Sequence, residues 1–362
     1  MPERRGGRSA AVPLPPMAAR KRNDWPRLAD ALAQRLPRAR LHPAVLAWAE
    51  ASPPREPWAV AMSGGADSLA LLLLLWAHWP ERRARLRVLH FDHRLRGARS
   101  RGDARFCRRV AAALGVSFHE EAWADARAGA SAAEARAARH DFFGRQLRRF
   151  RAKALWLGHQ QEDVAETLLM RLARGSGTAG LGAPRPVHGL PGGRVHLRPL
   201  LTLKKRELTD ALRAVGARWR EDASNATDAH FRNRVRHEVV PAWLHAAGER
   251  DALAGAALSR ALLEEDDVAL EAWLAEVNPF AADGTLNLRR LAGKPRGLVR
   301  RALHRWLLAQ PAGRGLARQA FDALLDDVMR ARRTRHSVGV AGFAEIGKTR
   351  LRFLVDSRKN TG

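Results

Sequence analysis

The sequence predicts an α/β protein, with a parallel sheet carrying helices on both faces and a mainly helical smaller domain after it. Three observations carry this. Strand-like and helix-like runs alternate from Trp58 to about Leu157. A glycine turn, Ser63-Gly64-Gly65-Ala66-Asp67-Ser68, joins the first strand to a leucine-rich helix. After about Pro241 the strand signal fades and apolar residues take helical spacing. Alternation of this kind indicates βαβ units, in which ligands bind at the carboxyl ends of the strands.

Each element follows in order. Trp58–Met62 is short, apolar and bounded by Pro57 and Ser63, as a buried strand should be. The helix after it starts near Ser68 and contains the longest apolar run, Leu69–Ala77. A strand at Leu86–Phe91, a helix over about Ser100–Leu114 and a strand at Val116–Glu120 come next. A helix at Ala132–Arg149, a strand at Ala154–Gly158 and a helix from about Glu162 to Leu172 complete the alternation. Residues 175–199 read as loop, because Gly and Pro recur and no period holds. Leu258, Leu262 and Leu263 carry helical spacing; so do Val299, Leu303, Trp306 and Leu307, and then Leu316, Phe321, Leu324, Leu325 and Val328. Val338–Val355 reads as a short hairpin. The expected organisation is therefore a partly flexible N-terminal extension (1–56), a catalytic domain (57–240), a basic helical domain (241–335) and a hairpin with a tail (336–362).

Composition narrows the function. The chain has 362 residues and a formal charge of +27; Arg supplies 57 of its 64 cations and Lys only 7. A surface this cationic attracts polyanions, RNA or DNA first. Residues 289–335 hold 13 Arg/Lys against 3 Asp, which suits either a phosphate-binding face or a solvated basic surface. A single cysteine, Cys107, excludes a disulfide framework, a cysteine zinc site and an iron–sulfur cluster. No apolar run approaches the roughly 20 residues of a membrane helix. A cytoplasmic protein without membrane association is expected.

The chemistry-bearing residues cluster at predicted strand ends. Gly64 and Gly65 let the backbone approach an anion, while the helix beyond them offers unpaired N–H groups. Ser63 and Ser68 add hydroxyl donors. Asp67 repels a bare phosphate but suits one bridged by Mg²⁺. No G-K-[ST] follows, so the loop is not a Walker A motif. Asp163 and Glu166 share one helix face, where they serve either a cationic substrate or only the helix dipole. His159 lies at a strand end, and a buried structural histidine is its other reading. Arg232 and Arg236 share a face at i, i+4, whereas Arg234 does not; RNA phosphates or a solvated basic helix account for them equally.

Four strings in this order resemble one family over roughly residues 57–240. They are Ser63–Ser68; His90-Phe91-Asp92-His93-Arg94-Leu95-Arg96; Gly158-His159-Gln160-Gln161-Glu162-Asp163-Val164-Ala165-Glu166-Thr167 with Arg174-Gly175-Ser176-Gly177; and Trp219-Arg220-Glu221-Asp222-Ala223-Ser224-Asn225 before Arg232–His237. SGGADS looks like the PP-loop of the N-type ATP pyrophosphatases, and the set resembles the tRNA(Ile)-lysidine synthases. Glu162 stands where many members carry Asp, and Ala223 where Pro is common.

The resemblance implies a PP-loop ATP pyrophosphatase fold, similar to the adenine-nucleotide α-hydrolases, and an activity. The wobble cytidine of the CAU anticodon of an isoleucine tRNA is adenylated with ATP, and free L-lysine then displaces AMP. It implies ATP binding by Ser63, Gly64, Gly65, Asp67, Ser68, Asp92 and His93, with Mg²⁺ at Asp67. Asp67, His159, Asp163 and Glu166 are the implied catalytic set. Asp163 and Glu166 would hold the lysine amines, and Arg139 its carboxylate. tRNA contacts are expected at Arg232, Arg234, Arg236, Arg300, Arg301 and Arg305, and a homodimer is one expected assembly. Two rival readings are a tRNA thiolase, which Cys107 alone cannot serve, and a nonenzymatic RNA-binding protein, in which these acids would have no task.

Overall fold

The structure is a computed structural model that describes residues 24–94, 98–126, 130–221, 231–310, 316–339 and 342–355. The expected flexible tail, the Leu95-Arg96 end of the second string and the 222–225 part of the fourth lie outside these residues. The chain forms two compact units, Met1–Glu166 with Arg185–Leu253, and Thr167–Pro184 with Ala254–Gly362.

In the first unit, α1 (Trp25–Arg35) and α2 (Pro43–Ala51) precede β1 (Trp58–Ala61), α3 (Ala66–His78), β2 (Leu86–Asp92), α4 (Ala98–Ala113) and β3 (Ser117–Ala122). Then come α5 (Ala132–Arg149), β4 (Ala154–Trp156) and α6 (Gln161–Leu172), whose last turns belong to the second unit. After α7 (Thr178–Leu181), the chain returns with β5 (Val187–Leu190), β6 (Arg194–Leu197), α8 (Lys205–Ala214), α9 (Phe231–Arg234), a π-helical turn (Val235–Val239) and α10 (Val240–Ala247).

The sheet has six strands in the order β3-β2-β1-β4-β6-β5. All neighbours are parallel except β5 and β6. From β1 the chain moves outward through α3 to β2 and β3, then returns through α5 to β4 on the other side of β1. Right-handed crossovers in opposite directions place the two helices on opposite faces. Packing agrees: Trp58 and Val60 of β1 join a core with α1, α3, α4 and α8, while Ala59 joins a second core with Phe142, Phe143 and Leu147 of α5. The period-2 alternation of a strand thus feeds both faces. Helix α3 is buried almost all round, since Leu71 to Leu75 are each 0% exposed. Each such side chain contributes roughly 1.5–3 kcal/mol on burial.

Two differences from the sequence reading have clear causes. Residues 25–51 are an integral layer, because Trp25, Ala29, Leu32, Val45 and Ala49 are buried in the α3 core. Residues 187–197, read as loop, are the antiparallel pair β5–β6, and β6 extends the parallel sheet beside β4. Strands of four residues interrupted by Pro191-Gly192-Gly193 are too short to show a period. Four tryptophans gather under the sheet: Trp58 and Trp156 have ring centroids 4.5 Å apart, Trp79 lies 5.5 Å from Trp58, and Trp48 lies 6.3 Å from Trp156.

The second unit holds α11 (Ala252–Val277, its first residues in the first unit), β7 (Leu286–Asn287), α12 (Leu288–Leu291), α13 (Arg296–Leu308), α14 (Arg318–Met329), β8 (Arg335–Ser337), β9 (Gly342–Ile346) and β10 (Arg350–Val355). The expected hairpin is part of a four-stranded antiparallel sheet, β7-β10-β9-β8. Its Ala344, Ile346 and Leu351 share one core with Leu303, Trp306 and Leu325, so helices and strands form a single body.

Candidate functional site

The strand order reverses between β1 and β4, and the crevice at their carboxyl ends is where an open α/β sheet binds ligands. The Ser63–Ser68 loop leaves β1 there. Gly64 adopts φ +93°, a conformation that favours glycine. The Ser63 N–H donates to Ser68 Oγ at 3.2 Å, the Gly65 N–H donates to Ser63 Oγ at 3.3 Å, and Ser68 Oγ donates to the Gly65 carbonyl at 3.0 Å. These bonds set the loop in place while α3 begins at Ala66 with no side-chain cap.

Asp67, on the first turn of α3, has two different oxygens. Oδ2 accepts from Lys205 Nζ at 2.6 Å, and Oδ1 is buried without a hydrogen-bond partner. Burial pushes the carboxyl above the ordinary range, and Lys205 offsets part of that push. From the β4 side Gly158 closes on the loop: a Cβ there would stand 2.9 Å from the Asp67 carbonyl oxygen, so only glycine permits this approach.

Helix α6 begins at the same edge. Asp163 Oδ2 accepts from the Gln160 N–H at 3.0 Å, which caps the helix. Its Oδ1 accepts from Arg232 Nη2 at 2.7 Å. Glu166, 1% exposed, accepts from Arg232 Nε at 2.7 Å and from Arg236 Nε at 2.6 Å. Two carboxylates and two guanidiniums therefore form one neutral cluster. The π-helical turn that carries Arg236 is an element frequent at functional sites. Arg232 and Arg236, expected to face RNA, are turned onto the acids instead, because nearly buried carboxylates demand counter-ions. Arg234 is exposed, its guanidinium 6.0 Å from the Phe231 ring centre.

A cavity of 440 Å³ runs from the Ser63–Ser68 loop past Asp92 and His93, at the end of β2, to a cationic wall. In that wall burial lowers Arg139 and Arg198 to about 10, neighbouring guanidiniums adding to the effect. The same causes hold His140 at about 4 and His196 at about 3. Arg139 Nε is buried without a partner. His159 Nδ1 accepts from Arg198 Nε at 3.3 Å, which leaves its proton on Nε2. Burial and Arg198 hold this imidazole well below its ordinary pKa, so it is a neutral donor.

Residues 42–243 match the PP-loop domain. The chain belongs to the PP-loop family. Family membership implies ATP use, and the Ser63–Ser68 loop lies within the matched residues. The PP-loop chain is 43% identical over 185 residues to a tRNA(Ile)-lysidine synthase of Solibacter usitatus, covering 51% of this chain and 40% of that protein. It is 40% identical over 276 residues to the protein of that name in Geobacter sulfurreducens (73% and 56% covered) and 37% identical over 280 residues to that of Pseudomonas syringae pv. tomato (74% and 60%). The PP-loop chain thus spans about half the length of these relatives.

Of the predicted residues, the structure gathers Ser63, Gly65, Asp67, Ser68, Asp92, His93, Arg139, His159, Asp163 and Arg236 around one cavity. Gly64 shapes its loop, while Arg232 and Glu166 complete the ion cluster. In the second unit, Arg300 is exposed and Arg305 pairs with Glu271 at the surface. Arg301 corrects the expectation of an RNA-facing cation. Its side chain is 13% exposed and bridges Asp267 at 2.5 Å and Glu271 at 2.6 Å, with Thr178 at 2.9 Å, so its charge serves the unit's own core.

Lys205, Arg198 and His140 escaped the sequence reading, and Gly158 entered it only as the first residue of the third string. Lys205 had one usable signal: it is one of only 7 lysines beside 57 arginines. Gly158→Ala is expected to push the PP-loop backbone, lowering ATP-dependent pyrophosphate release on the order of 100-fold, as an ångström-scale misplacement does. A variant releasing pyrophosphate at the parental rate would show that the close approach has no catalytic consequence.

Proposed function

We propose that this protein is a tRNA(Ile)-lysidine synthase, and the arrangement of the 440 Å³ cavity carries the reading. A phosphate-binding loop, Asp163 of the Asp163–Glu166 pair and a cationic wall that includes Arg139, His140 and Arg198 converge there. Those are the features that adenylation followed by attack of an amino acid requires.

The loop N–H groups and the Ser63 and Ser68 hydroxyls hold the ATP phosphates, and Asp92 and His93 line the adenosine end. The buried Asp67 Oδ1, lacking any donor, suits a cation. Among the described residues no group of three or more acidic, His or Cys side chains forms a closed metal cage. Asp67 would hold Mg²⁺ there, and the ion would supply charge neutralisation at the phosphates. The 2-keto oxygen of the cytidine bonds to the α-phosphorus as pyrophosphate leaves. A lysine amine then bonds to C2, the C–O bond to AMP breaks, and the amine proton leaves through the Asp163–Glu166 pair. Lysine's ammonium exchanges with Arg232 or Arg236 at that pair. Arg139 takes its carboxylate, for which a planar guanidinium is suited. His159 Nε2–H donates to the activated intermediate. Arg234, Arg300 and Arg305 are the exposed cations for tRNA.

Cys107 weighs against sulfur transfer. It is the chain's single cysteine, buried, and its thiol is pushed up to about 12, chiefly by that burial. No helix among the described residues is long and apolar enough to cross a membrane. A cytoplasmic location and a homodimer belong to the same proposal.

Incubating the protein with labelled lysine, ATP, Mg²⁺ and total tRNA, followed by nucleoside analysis, is expected to place the label on a cytidine of an isoleucine tRNA. Pyrophosphate released without any lysine incorporated would mean that the family chemistry is kept but the acceptor is different.

A further inference from the structure

The PP-loop contains no cation, and its helix opens with an acid. A triphosphate carries several negative charges, so a loop of backbone N–H groups beside Asp67 leaves most of that charge unanswered. A lysine does stand at the loop, and it comes from a different part of the chain. Lys205, at the start of α8, places Nζ 2.6 Å from Asp67 Oδ2.

Three further observations bear on its task. First, its backbone is pinned. The Lys205 N–H donates to Glu162 Oε2 at 2.9 Å, the Gln161 N–H to the Leu203 carbonyl at 3.0 Å, and the Lys204 N–H to Glu207 Oε2 at 2.8 Å. The start of α8 is thus tied to the start of α6, and only the aliphatic stem and ammonium are left to move. Second, the Lys205 side chain is 44% exposed and lines a second cavity, of 630 Å³, which shares Ser63, Gly65, Asp67 and Arg236 with the first. The two cavities meet at the PP-loop, one running toward the end of β2 and the other toward α8. Third, the other cations of this second cavity have their own partners. Arg220 pairs with Asp103 at 2.7 Å, Arg236 with Glu166 at 2.6 Å and Arg213 with Asp210 at 3.2 Å. Lys205 alone among these is paired with the PP-loop itself.

We infer that Lys205 is the phosphate-binding cation of this site, supplied by α8, and that it grips the pyrophosphate portion of ATP within the second cavity. The inference rests on the ATP-using reading of the PP-loop. A lysine suits the role, because it is a compact point charge on a flexible stem, able to leave one oxygen for another. Asp67 holds the ammonium beside the loop. When phosphates arrive, the ammonium turns to them and the Asp67 carboxylate is released toward their counter-ion.

The test is calorimetric titration of the full chain with inorganic pyrophosphate and, separately, AMP and ATP, each with magnesium, for the parent, Lys205→Met and Lys205→Arg. Loss of one charge-assisted hydrogen bond predicts pyrophosphate binding weakened about ten- to a hundred-fold in Lys205→Met. AMP binding stays within about two-fold, and Lys205→Arg recovers part of the loss. Circular dichroism checks that the variants fold, as expected for a half-exposed side chain. The Asp67→Asn background separates direct contact from simple neutralisation of Asp67. If Lys205→Met still weakens pyrophosphate there, the ammonium touches phosphate; if it changes nothing there, Lys205 only neutralises Asp67 and the inference fails. Equal losses for AMP and pyrophosphate also overturn it. A parent chain that binds ATP but not pyrophosphate rejects the inference alone, whereas one that binds neither rejects the ATP reading and the inference together.

Discussion

Asp67→Asn is expected to lower ATP-dependent pyrophosphate release on the order of 100- to 1000-fold, the usual effect of deleting one electrostatic group aimed at a reacting phosphate or acyl centre. The substitution is isosteric, so the loop keeps its shape. It removes the charge that pairs with Lys205 and the anionic character of the buried Oδ1. Stability should scarcely move. The ion pair is partly solvated, with side chains 44% and 23% exposed, and such pairs contribute about 0–1 kcal/mol. Pyrophosphate release and thermal melting, measured on one preparation, check both halves of the expectation. Parental release from this variant would remove Asp67 from the ATP site.

Glu166→Gln has the second largest expected effect, and it reaches both activity and stability. The carboxylate is 1% exposed and meets two guanidiniums. Removing one partner of a buried ion cluster costs about 3–5 kcal/mol. A fall in Tm on the order of 10 °C follows for a unit of this size. In the reaction, the loss of one charge-assisted bond to an ammonium corresponds to roughly a ten- to hundred-fold higher lysine requirement. Adenylation, measured as tRNA-dependent pyrophosphate exchange below the lowered Tm, should survive comparatively well. If exchange disappeared while the lysine requirement stayed as before, Glu166 would belong with Asp67 at the phosphates.

Much of the first unit is legible in the sequence because its signals are local. The helix at Ala132–Arg149 has the bounds read from its pattern, fixed at its start by the Ser131–Glu134 capping box. Strands β1, β2 and β4 fall where short, mainly apolar runs end. The Ser63–Ser68 turn declares itself through its glycines. What stayed hidden depends on partners distant in sequence. Arg232 lies 66 residues from Glu166, and Lys205 lies 138 residues from Asp67. No spacing rule links such positions. Arg301 looked like any surface arginine of a basic helix until Asp267 and Glu271 stood beside it. Strands β7 and β8, of two and three residues, are recognisable only through the strands they pair with.

The tryptophan cluster gives the protein an optical signature. With 11 Trp and no Tyr, near-ultraviolet absorption and emission come almost wholly from indole. Rings held 4.5 to 6.3 Å apart at Trp48, Trp58, Trp79 and Trp156 are close enough for their transitions to couple. The coupled circular-dichroism bands therefore report the sheet core of the first unit. The second unit contributes only Trp273 and the buried Trp306 to the same spectrum. During unfolding, early loss of the coupled bands would mark the first unit melting before the second. Their persistence after the far-ultraviolet signal begins to fall would mark the reverse order, with no label added to the chain.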